Sequence, residues 1–252
     1  MTGPRVAAIV PAYNESARVC AVVEAISGAQ TVDEIIIVTD GCTDDTAAQV
    51  RRWIENHPLE HPAVKLYEMT ANIGKGGAMT HGAHRTDCEV ILFLDADLIG
   101  LRSPQVDDLV APVLRPDAPA AMTLGLFGAV RGGLFGWWLG VCHRAWPKIT
   151  GQRAIRRDVF LAVPNLTHSR YGVETAITRY VERDPELDIE YVYLHNVTHP
   201  IKEEKLGPIR GFATRVRMYS EIYALIGRDN LQDSLAHYRK EATRLRNRFE
   251  DK

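Results

Sequence analysis

The first ninety-five residues alternate between short apolar runs and stretches with helical periodicity. Runs rich in β-branched residues predict four strands, at Val6–Val10, Glu34–Val38, Val64–Tyr67 and Val90–Leu94. Helices are predicted between them, at Ser16–Ser27 with Ser16 as the cap, from Thr43 or Asp44 to His57, and at Gly74–Arg85. A βαβαβαβ order predicts a Rossmann-like α/β fold, with a mostly parallel central sheet and helices on both faces.

Polar side chains follow these strands, and ligands of open parallel sheets bind beyond the carboxyl ends of the strands. Asp40, Asn72 and Asp95 are therefore expected to meet in one crevice. Asp95-Ala96-Asp97 closes the fourth apolar run, and residues two apart in a strand point to the same face. Two neighbouring carboxylates repel each other, so they predict a positive partner, for which Mg²⁺ or Mn²⁺ completed by phosphates is suited. Helix capping or turn formation is the alternative role.

The other strand ends carry short motifs. Pro11-Ala12-Tyr13-Asn14-Glu15 follows the first strand, where Pro11 is predicted to end the strand pairing and capping alone explains the polar residues. In Asp40-Gly41-Cys42-Thr43-Asp44-Asp45-Thr46, a capping residue at Thr43 or Asp44 leaves Asp40 free. A free carboxylate at a strand end can accept hydrogen bonds from a nucleotide.

The third motif, Asn72-Ile73-Gly74-Lys75-Gly76-Gly77, is rich in glycine and contains one lysine. Walker spacing fails because Met69 occupies the first glycine position, and the GxGxxG fingerprint fails because Met79 occupies the last. A kinase, an ATPase or a dehydrogenase is therefore not supported. Glycines that let the backbone approach a phosphate, beside the positive charge of Lys75, still favour a nucleotide.

Together these four motifs closely resemble those of family 2 glycosyltransferases, which have the GT-A fold. The resemblance covers about residues 5–205. It implies a bound nucleotide-sugar donor and a divalent cation, Mg²⁺ or Mn²⁺, with Asp97 as a metal ligand. The donor contacts that it implies are Pro11, Ala12, Tyr13, Glu15, Asp40, Gly74, Lys75, Asp95 and Ala96.

Two downstream segments resemble subgroups of that family. Thr150–Asp158 is similar to a stretch of polyprenyl-phosphate sugar synthases, and Tyr171-Gly172-Val173-Glu174 is similar to glucosyl-3-phosphoglycerate synthases, which transfer with retention. These resemblances imply an acceptor site that involves Gly151, Gln152, Arg153, Tyr171 and Gly172. The acceptor is expected to be a phosphorylated small molecule or a lipid-linked one.

Glu174 and His199 have open roles. Glu174 is expected to be a general base for an acceptor hydroxyl, or to orient donor or acceptor where a phosphate needs no base. Interaction with the helix dipole is its structural alternative. Retaining relatives imply His199 as a further metal ligand, whereas a lone histidine is more often structural.

Bulk properties limit the classes of partner and compartment. A net charge of −2 argues against a nucleic-acid binder, and four cysteines without a CxxC pair indicate reduced thiols in the cytoplasm. The apolar stretch from Ala120 to Cys142 is broken by Arg131, and its uninterrupted part is too short for the roughly 20 residues of a membrane span.

The predicted organisation is a domain over residues 1–205 with a C-terminal helical extension over 206–252, which packs on that domain or on a dimer partner. The basic last helix, Leu231–Phe249, suggests peripheral contact with an anionic membrane.

The function that these motifs favour is metal-dependent transfer of a sugar from a UDP-sugar, with inversion of the anomeric configuration. Retaining transfer and polyprenyl-phosphate sugar synthesis are alternatives, and a non-catalytic sugar-nucleotide binder is a remote one. A sugar nucleotidyltransferase would need an Arg-containing glycine-rich loop where Pro11–Glu15 stands.

Overall fold

The computed structural model describes residues 3–58, 61–127, 150–166 and 172–200. The strands are β1 (Val6–Ala12), β2 (Glu34–Asp40), β3 (Ala63–Met69), β4 (Val90–Phe93), β5 (Met122–Phe127), β6 (Arg153–Arg156) and β7 (Ile189–Leu194). The helices are α1 (Val19–Ser27), α2 (Thr46–Asn56), α3 (Lys75–Ala83), α4 (Ser103–Val110), α5 (Arg157–Ala162) and α6 (Val173–Arg183).

The seven strands form one sheet in the order β3-β2-β1-β4-β6-β5-β7. β1 pairs in parallel with both β2 and β4, and β5 pairs in parallel with β7. β6 runs antiparallel between β4 and β5. Its Ala154 lies opposite Leu92 of β4 on one side and opposite Thr123 of β5 on the other. The mostly parallel sheet is confirmed, whereas β6 was not predicted.

Helices cover both faces of the sheet, as predicted. Successive side chains of β1 point to opposite faces of the sheet. Ala8 and Val10 belong to one hydrophobic cluster, and Ile9 belongs to the other. The first cluster contains Val22 of α1, Val50 of α2 and Val106 of α4. The second contains Met79 of α3, Phe160 of α5 and Ile177 of α6. β1, β2 and β4 are thus buried from both sides, whereas the edge strand β3 is partly exposed.

Some element boundaries differ from prediction. α1 begins at Val19, and the segment before it is a turn in which the carbonyl of Glu15 accepts from the backbone N–H of Arg18 and of Val19, both at 3.0 Å. Pro11 does not end β1, because it pairs with Val38 of β2. It lies beyond Ile9, the last residue of β1 that pairs with β4, so its missing N–H interrupts no pairing on that side.

The acidic motif follows β4 after the strand has ended at Phe93. Burial nevertheless goes on alternating, since Leu94, Ala96 and Leu98 are buried and Asp95 and Asp97 are partly exposed. The two carboxylates therefore belong to the accessible side of this segment.

Several predicted features lie outside the described residues: the apolar segment 128–149, Tyr171, and everything from residue 201, including both C-terminal helices. Among the helices that the structure describes, none has the length and apolar character to span a bilayer.

Candidate functional site

The centre of the site is a cluster of three charged side chains. Lys75, the first residue of α3, places Nζ 2.6 Å from Oδ1 of Asp95 and 2.6 Å from Oε1 of Glu174. Gln152 donates from Nε2 to the other oxygen of Asp95 at 2.7 Å. Only 26% of the Lys75 side chain and 12% of the Glu174 side chain are exposed, so little water weakens these interactions.

The charges of this cluster are mutually stabilised. Burial opposes the ammonium of Lys75, but the carboxylates of Asp95 and Glu174 outweigh it and raise the pKa of Lys75 above its ordinary value. Burial also opposes the carboxylate of Asp95, yet Lys75 and the Gln152 hydrogen bond hold the pKa of Asp95 below its usual range. Two carboxylates share one ammonium here, and the buried guanidinium of Arg153 adds a second positive charge near both of them.

Asp40 fixes the loop that leads into α3. Its side chain is buried, and its two oxygens accept from the backbone N–H groups of Ile73 and Gly74, each at 2.8 Å. Asn72 adds a bond from Nδ2 to the Asp40 carbonyl at 3.2 Å. The expectation of a free Asp40 is therefore wrong, because the loop backbone occupies its carboxylate. Its contact with a nucleotide stays a prediction.

The loops after β1 and β2 are bonded to each other. Asn14, at φ 55°, accepts from the backbone N–H of Thr43 at 2.8 Å, and Thr46 accepts at its hydroxyl from the backbone N–H of Glu15 at 2.8 Å. Tyr13 projects from this connection with 48% of its surface exposed. The loops are thus preformed, while donor binding by Pro11, Ala12, Tyr13 and Glu15 remains a prediction.

A short bridge connects the loop that contains Asp97 to the loop that contains His199. Ile99 and Thr198 exchange backbone hydrogen bonds of 2.8 and 3.0 Å in an antiparallel arrangement. His199 packs its ring against Phe127, with 5.4 Å between centroids, and its charge contributes to the lowered pKa of Asp95.

The chemistry of Asp97 and His199 fits a divalent cation. A carboxylate oxygen and an imidazole nitrogen are ligands that Mn²⁺ accepts, and a carboxylate suits Mg²⁺. Within the described ranges no group of three or more His, Cys, Asp or Glu side chains could surround a metal ion. A cation here therefore needs ligands from elsewhere, such as the phosphates expected from the sequence. The oxygens of Asp95 are already bonded to Lys75 and Gln152. Metal binding by Asp97, which the family resemblance implies, stays a prediction.

The structure corrects the predicted acceptor role of Arg153. Its side chain is fully buried, and its guanidinium donates to the carbonyl of Thr150 and, at 3.1 Å, to the carbonyl of Glu174. Burial lowers the pKa of Arg153 to about 10, although Glu174 and Asp95 partly offset this. A buried group bonded to main chain cannot reach an acceptor, so Arg153 instead joins β6 to α6 behind the site.

The other residues of the predicted acceptor segment lie beside the charged cluster. Gly151 is so close that a Cβ atom there would lie 2.7 Å from Nζ of Lys75 and would overlap the Asp95 carboxylate. Gln152 is buried, and its side-chain amide bonds Asp95. It therefore faces the charged cluster and not the protein surface. Gly172 is buried at the start of α6. Acceptor binding by these residues stays a prediction.

Comparison with known proteins finds a family model, Glycosyl transferase family 2, that matches residues 7–177. A dolichyl-phosphate beta-glucosyltransferase of Trichomonas vaginalis is 36% identical over 98 residues, which are 35% of this chain and 28% of that protein. A glucosyl-3-phosphoglycerate synthase of Mycobacterium tuberculosis is 32% identical over 114 residues, which are 44% of this chain and 35% of that protein. The chain thus spans about a third of the length of these curated relatives.

Solved structures agree on the fold. The crystal structure of the Mycobacterium tuberculosis glucosyl-3-phosphoglycerate synthase with Mn²⁺, uridine diphosphate and phosphoglyceric acid matches with a TM-score of 0.62 at 23% identity. The match covers 86% of this chain and 78% of that one. At this identity the similarity establishes the GT-A fold, and the family model, which spans most of the chain, establishes the lineage. The chain belongs to glycosyl transferase family 2.

Proposed function

We propose that this protein is a metal-dependent glycosyltransferase that moves a sugar, glucose in the first instance, from a UDP-sugar to a phosphate-bearing acceptor. The observation that carries the proposal is the Lys75 ammonium, held between Asp95 and Glu174 at the start of α3. The sugar follows from the two relatives, whose names both specify glucosyl transfer. The donor follows from a related solved structure that holds UDP-glucose and Mn²⁺.

The start of α3 suits a diphosphate. The first turn of a helix presents backbone N–H groups and partial positive charge, and Lys75 is the first residue of α3. Lys75 has three N–H donors, of which two are used by Asp95 and Glu174 in the described part of the chain. The third can bond a phosphate oxygen and stabilise the charge that develops on the departing nucleotide.

Asp97 and His199 would hold the cation. When bound, Mg²⁺ or Mn²⁺ acts as a Lewis acid towards the diphosphate. Asp95 is held by Lys75 and Gln152 on the same accessible side, where a carboxylate oxygen can accept hydrogen bonds from donor hydroxyls. The two aspartates therefore have separate proposed roles.

The ion pair of Glu174 bears on the acceptor. An acceptor hydroxyl would need a base, but Oε1 of Glu174 already accepts from the Lys75 ammonium at 2.6 Å. An acceptor that already carries an ionised oxygen needs no base. We therefore favour a phosphate oxygen as nucleophile and a single displacement with inversion, in which Glu174 orients the reactants. The alternative is retaining transfer to a hydroxyl, as the resemblance to glucosyl-3-phosphoglycerate synthases suggests.

The proposal is tested by incubating the purified chain with UDP-glucose and Mn²⁺ in the presence of either a short polyprenyl phosphate or 3-phosphoglycerate. Released UDP measures turnover, and proton NMR of the product gives the anomeric configuration. We expect a β-linked glucosyl phosphate with the polyprenyl acceptor. An α-linked product with 3-phosphoglycerate would instead establish the retaining alternative.

Two controls make the result specific. Asp97→Asn keeps the size of the side chain but removes a metal-binding charge, and we expect it to lose at least about 100-fold in turnover, the scale of losing electrostatic stabilisation of a transition state. GDP-mannose in place of UDP-glucose tests the donor. If wild type and Asp97→Asn were equally inert with every donor and acceptor, the protein would be a binder and not an enzyme.

A further inference from the structure

The chain after Asp97 and the chain before His199 are tied together outside the regular sheet. Ile99 and Thr198 form the antiparallel bridge described above, and buried residues flank it on each strand, namely Leu98 and Val197, each 3% exposed. Both belong to the same hydrophobic cluster. We refer to Ile99, Gly100, Gln105 and residues 195–198 as the clamp.

Gly100 is required at one end of the clamp. It has a φ of 80°, a conformation that side chains rarely adopt, and a Cβ atom on it would overlap the carbonyl oxygen of Asn196. Asn196 is itself at φ 62°, in the turn in which the backbone N–H of Val197 donates to Leu194 at 3.4 Å. Two left-handed residues therefore face each other, and the close approach allows no other residue at position 100.

Gln105 makes a second contact with the same turn. Its Oε1 accepts from the backbone N–H of Arg102 at 2.9 Å, which caps α4, and its Nε2 donates to the carbonyl of His195. One amide thus connects the start of α4 to the turn after β7. Neither Gly100 nor Gln105 is a candidate ligand, and the expected contacts of donor, metal and acceptor do not account for this arrangement.

We propose that Gly100 and Gln105 are positioning residues for the divalent cation. They fix the turn after β7 against the segment that follows Asp97, so that His199 is held beside Asp97 before any ligand arrives. Holding two ligands in place lowers the ordering that metal binding would otherwise require. This inference rests on the proposed metal-dependent function.

The test measures Mn²⁺ affinity directly, from the electron paramagnetic resonance signal of free Mn²⁺ titrated into protein with UDP. Gln105→Met is expected to weaken Mn²⁺ binding about five- to tenfold, the equivalent of one lost hydrogen bond. Gly100→Ala, whose Cβ would displace the carbonyl of Asn196, is expected to weaken it at least as much. Gln49→Met is the matched control, since Gln49 lies on α2 and its side chain makes no hydrogen bond in the described part of the chain. It should bind Mn²⁺ like wild type.

A variant that lacks His199 distinguishes a positioning role of Gln105 from a general loss of folded structure. In His199→Ala, the further change Gln105→Met should leave Mn²⁺ affinity unchanged, because the residue through which it acts is gone. Saturating Mn²⁺ should restore the turnover of Gln105→Met, which a loss of folded protein would not allow.

The outcomes are distinguishable. Wild-type affinity in both clamp variants, or equal weakening with and without His199, would overturn the inference while the metal-dependent function stands. If wild type with UDP took up no Mn²⁺, the proposed function would fail and the inference with it.

Discussion

At the scale of single residues, Lys75 decides the character of the site. Its ammonium lies between two carboxylates from distant parts of the chain, Asp95 after β4 and Glu174 on α6. Breaking a largely buried pair is costly, because the remaining charges stay out of water without a partner. The same side chain therefore holds the site together and is available to a diphosphate.

Replacing Lys75 by Met should lower the free energy of unfolding by about 3 kcal/mol, since Asp95 and Glu174 both lose their counter-charge. Turnover should fall at least about 100-fold, because the ammonium at the start of α3 would no longer offset charge on the departing nucleotide. Urea unfolding at pH 7 and a UDP-release assay measure the two effects.

Arg51→Met is the control for that experiment. Arg51 also pairs with a carboxylate, Glu68 at 2.6 Å, but 53% of its side chain and 45% of the Glu68 side chain are exposed. Exposed pairs contribute about 0–1 kcal/mol, so this variant should remain near wild type in both assays. Adding Glu174→Gln to Lys75→Met should recover part of the lost stability. An unchanged unfolding free energy in Lys75→Met would contradict the account of the cluster.

Arg153 gives a second prediction at this scale. Arg153→Lys keeps a positive charge but cannot reproduce the bonds to the carbonyls of Thr150 and Glu174, so the unfolding free energy should fall by about 2 kcal/mol. The KM for acceptor should not change. Arg156→Lys, at an exposed position paired with Asp158, should be neutral. A raised acceptor KM without loss of stability would instead favour the phosphate contact expected from the sequence.

At the scale of elements, sequence periodicity predicted those strands whose hydrophobic pattern lies within the strand itself. The runs around Ile9, Ile36 and Leu92 are apolar because both of their faces are covered, and they predicted the parallel strands and the edge that carries the motifs. The fourth strand was expected to end at Leu94, and β4 ends one residue earlier, at Phe93, with a turn following.

β6 was missed for a physical reason. Its sequence, Arg153-Ala154-Ile155-Arg156, has no apolar run, because Arg153 is buried by bonding main-chain carbonyls and not by being hydrophobic. One of those partners, the carbonyl of Glu174, lies 21 residues away in the chain, so no local pattern shows it. The pairing of Lys75 with Glu174, 99 residues apart, was hidden for the same reason.

The start of α2 offers a prediction at this scale. Asp44 accepts at Oδ1 from the backbone N–H of Thr46 at 3.0 Å and at Oδ2 from that of Ser16 at 3.2 Å. Asp44→Ala should therefore destabilise the fold by about 1 kcal/mol, the usual loss on removing a helix cap. Asp45→Ala is the control, because Asp45 makes no capping bond with its side chain.

The effect of Asp44 should depend on pH. Burial would raise the pKa of Asp44, but the hydrogen bonds from Thr46 and Ser16 outweigh it and lower that pKa below its ordinary value. The contribution is therefore complete above about pH 5, beyond the unfolded pKa of about 3.9, and is lost as pH falls through the lower folded pKa. Urea unfolding of Asp44→Ala and wild type at pH 7 and pH 3 measures this. A difference that persisted undiminished at pH 3 would contradict the assignment.

At the scale of the whole molecule, four loops from separate strands converge on one sheet edge, and protein contacts already hold each of them. Asp40 fixes the loop before α3. Thr43 and Thr46 bond the loop after β2 to the loop after β1, and the Ile99–Thr198 bridge fixes the loop after β4. A site built in this way pays little ordering entropy on binding. Ligands should therefore act on global stability mainly through mass action.

UDP and Mn²⁺ should consequently stabilise the protein together more than the sum of their separate effects, because each supplies ligands or charge that the other lacks. At 100 times the dissociation constant, bound ligand should add about 2.7 kcal/mol to the free energy of unfolding. Thermal unfolding with UDP, with Mn²⁺, with both, and with both plus EDTA measures the coupling. EDTA should return the melting temperature to that of UDP alone. Asp97→Asn should keep the rise in melting temperature caused by UDP and lose the coupling, since it changes a candidate metal ligand and leaves the start of α3 intact. Strictly additive rises in wild type would show that metal and nucleotide do not share a site.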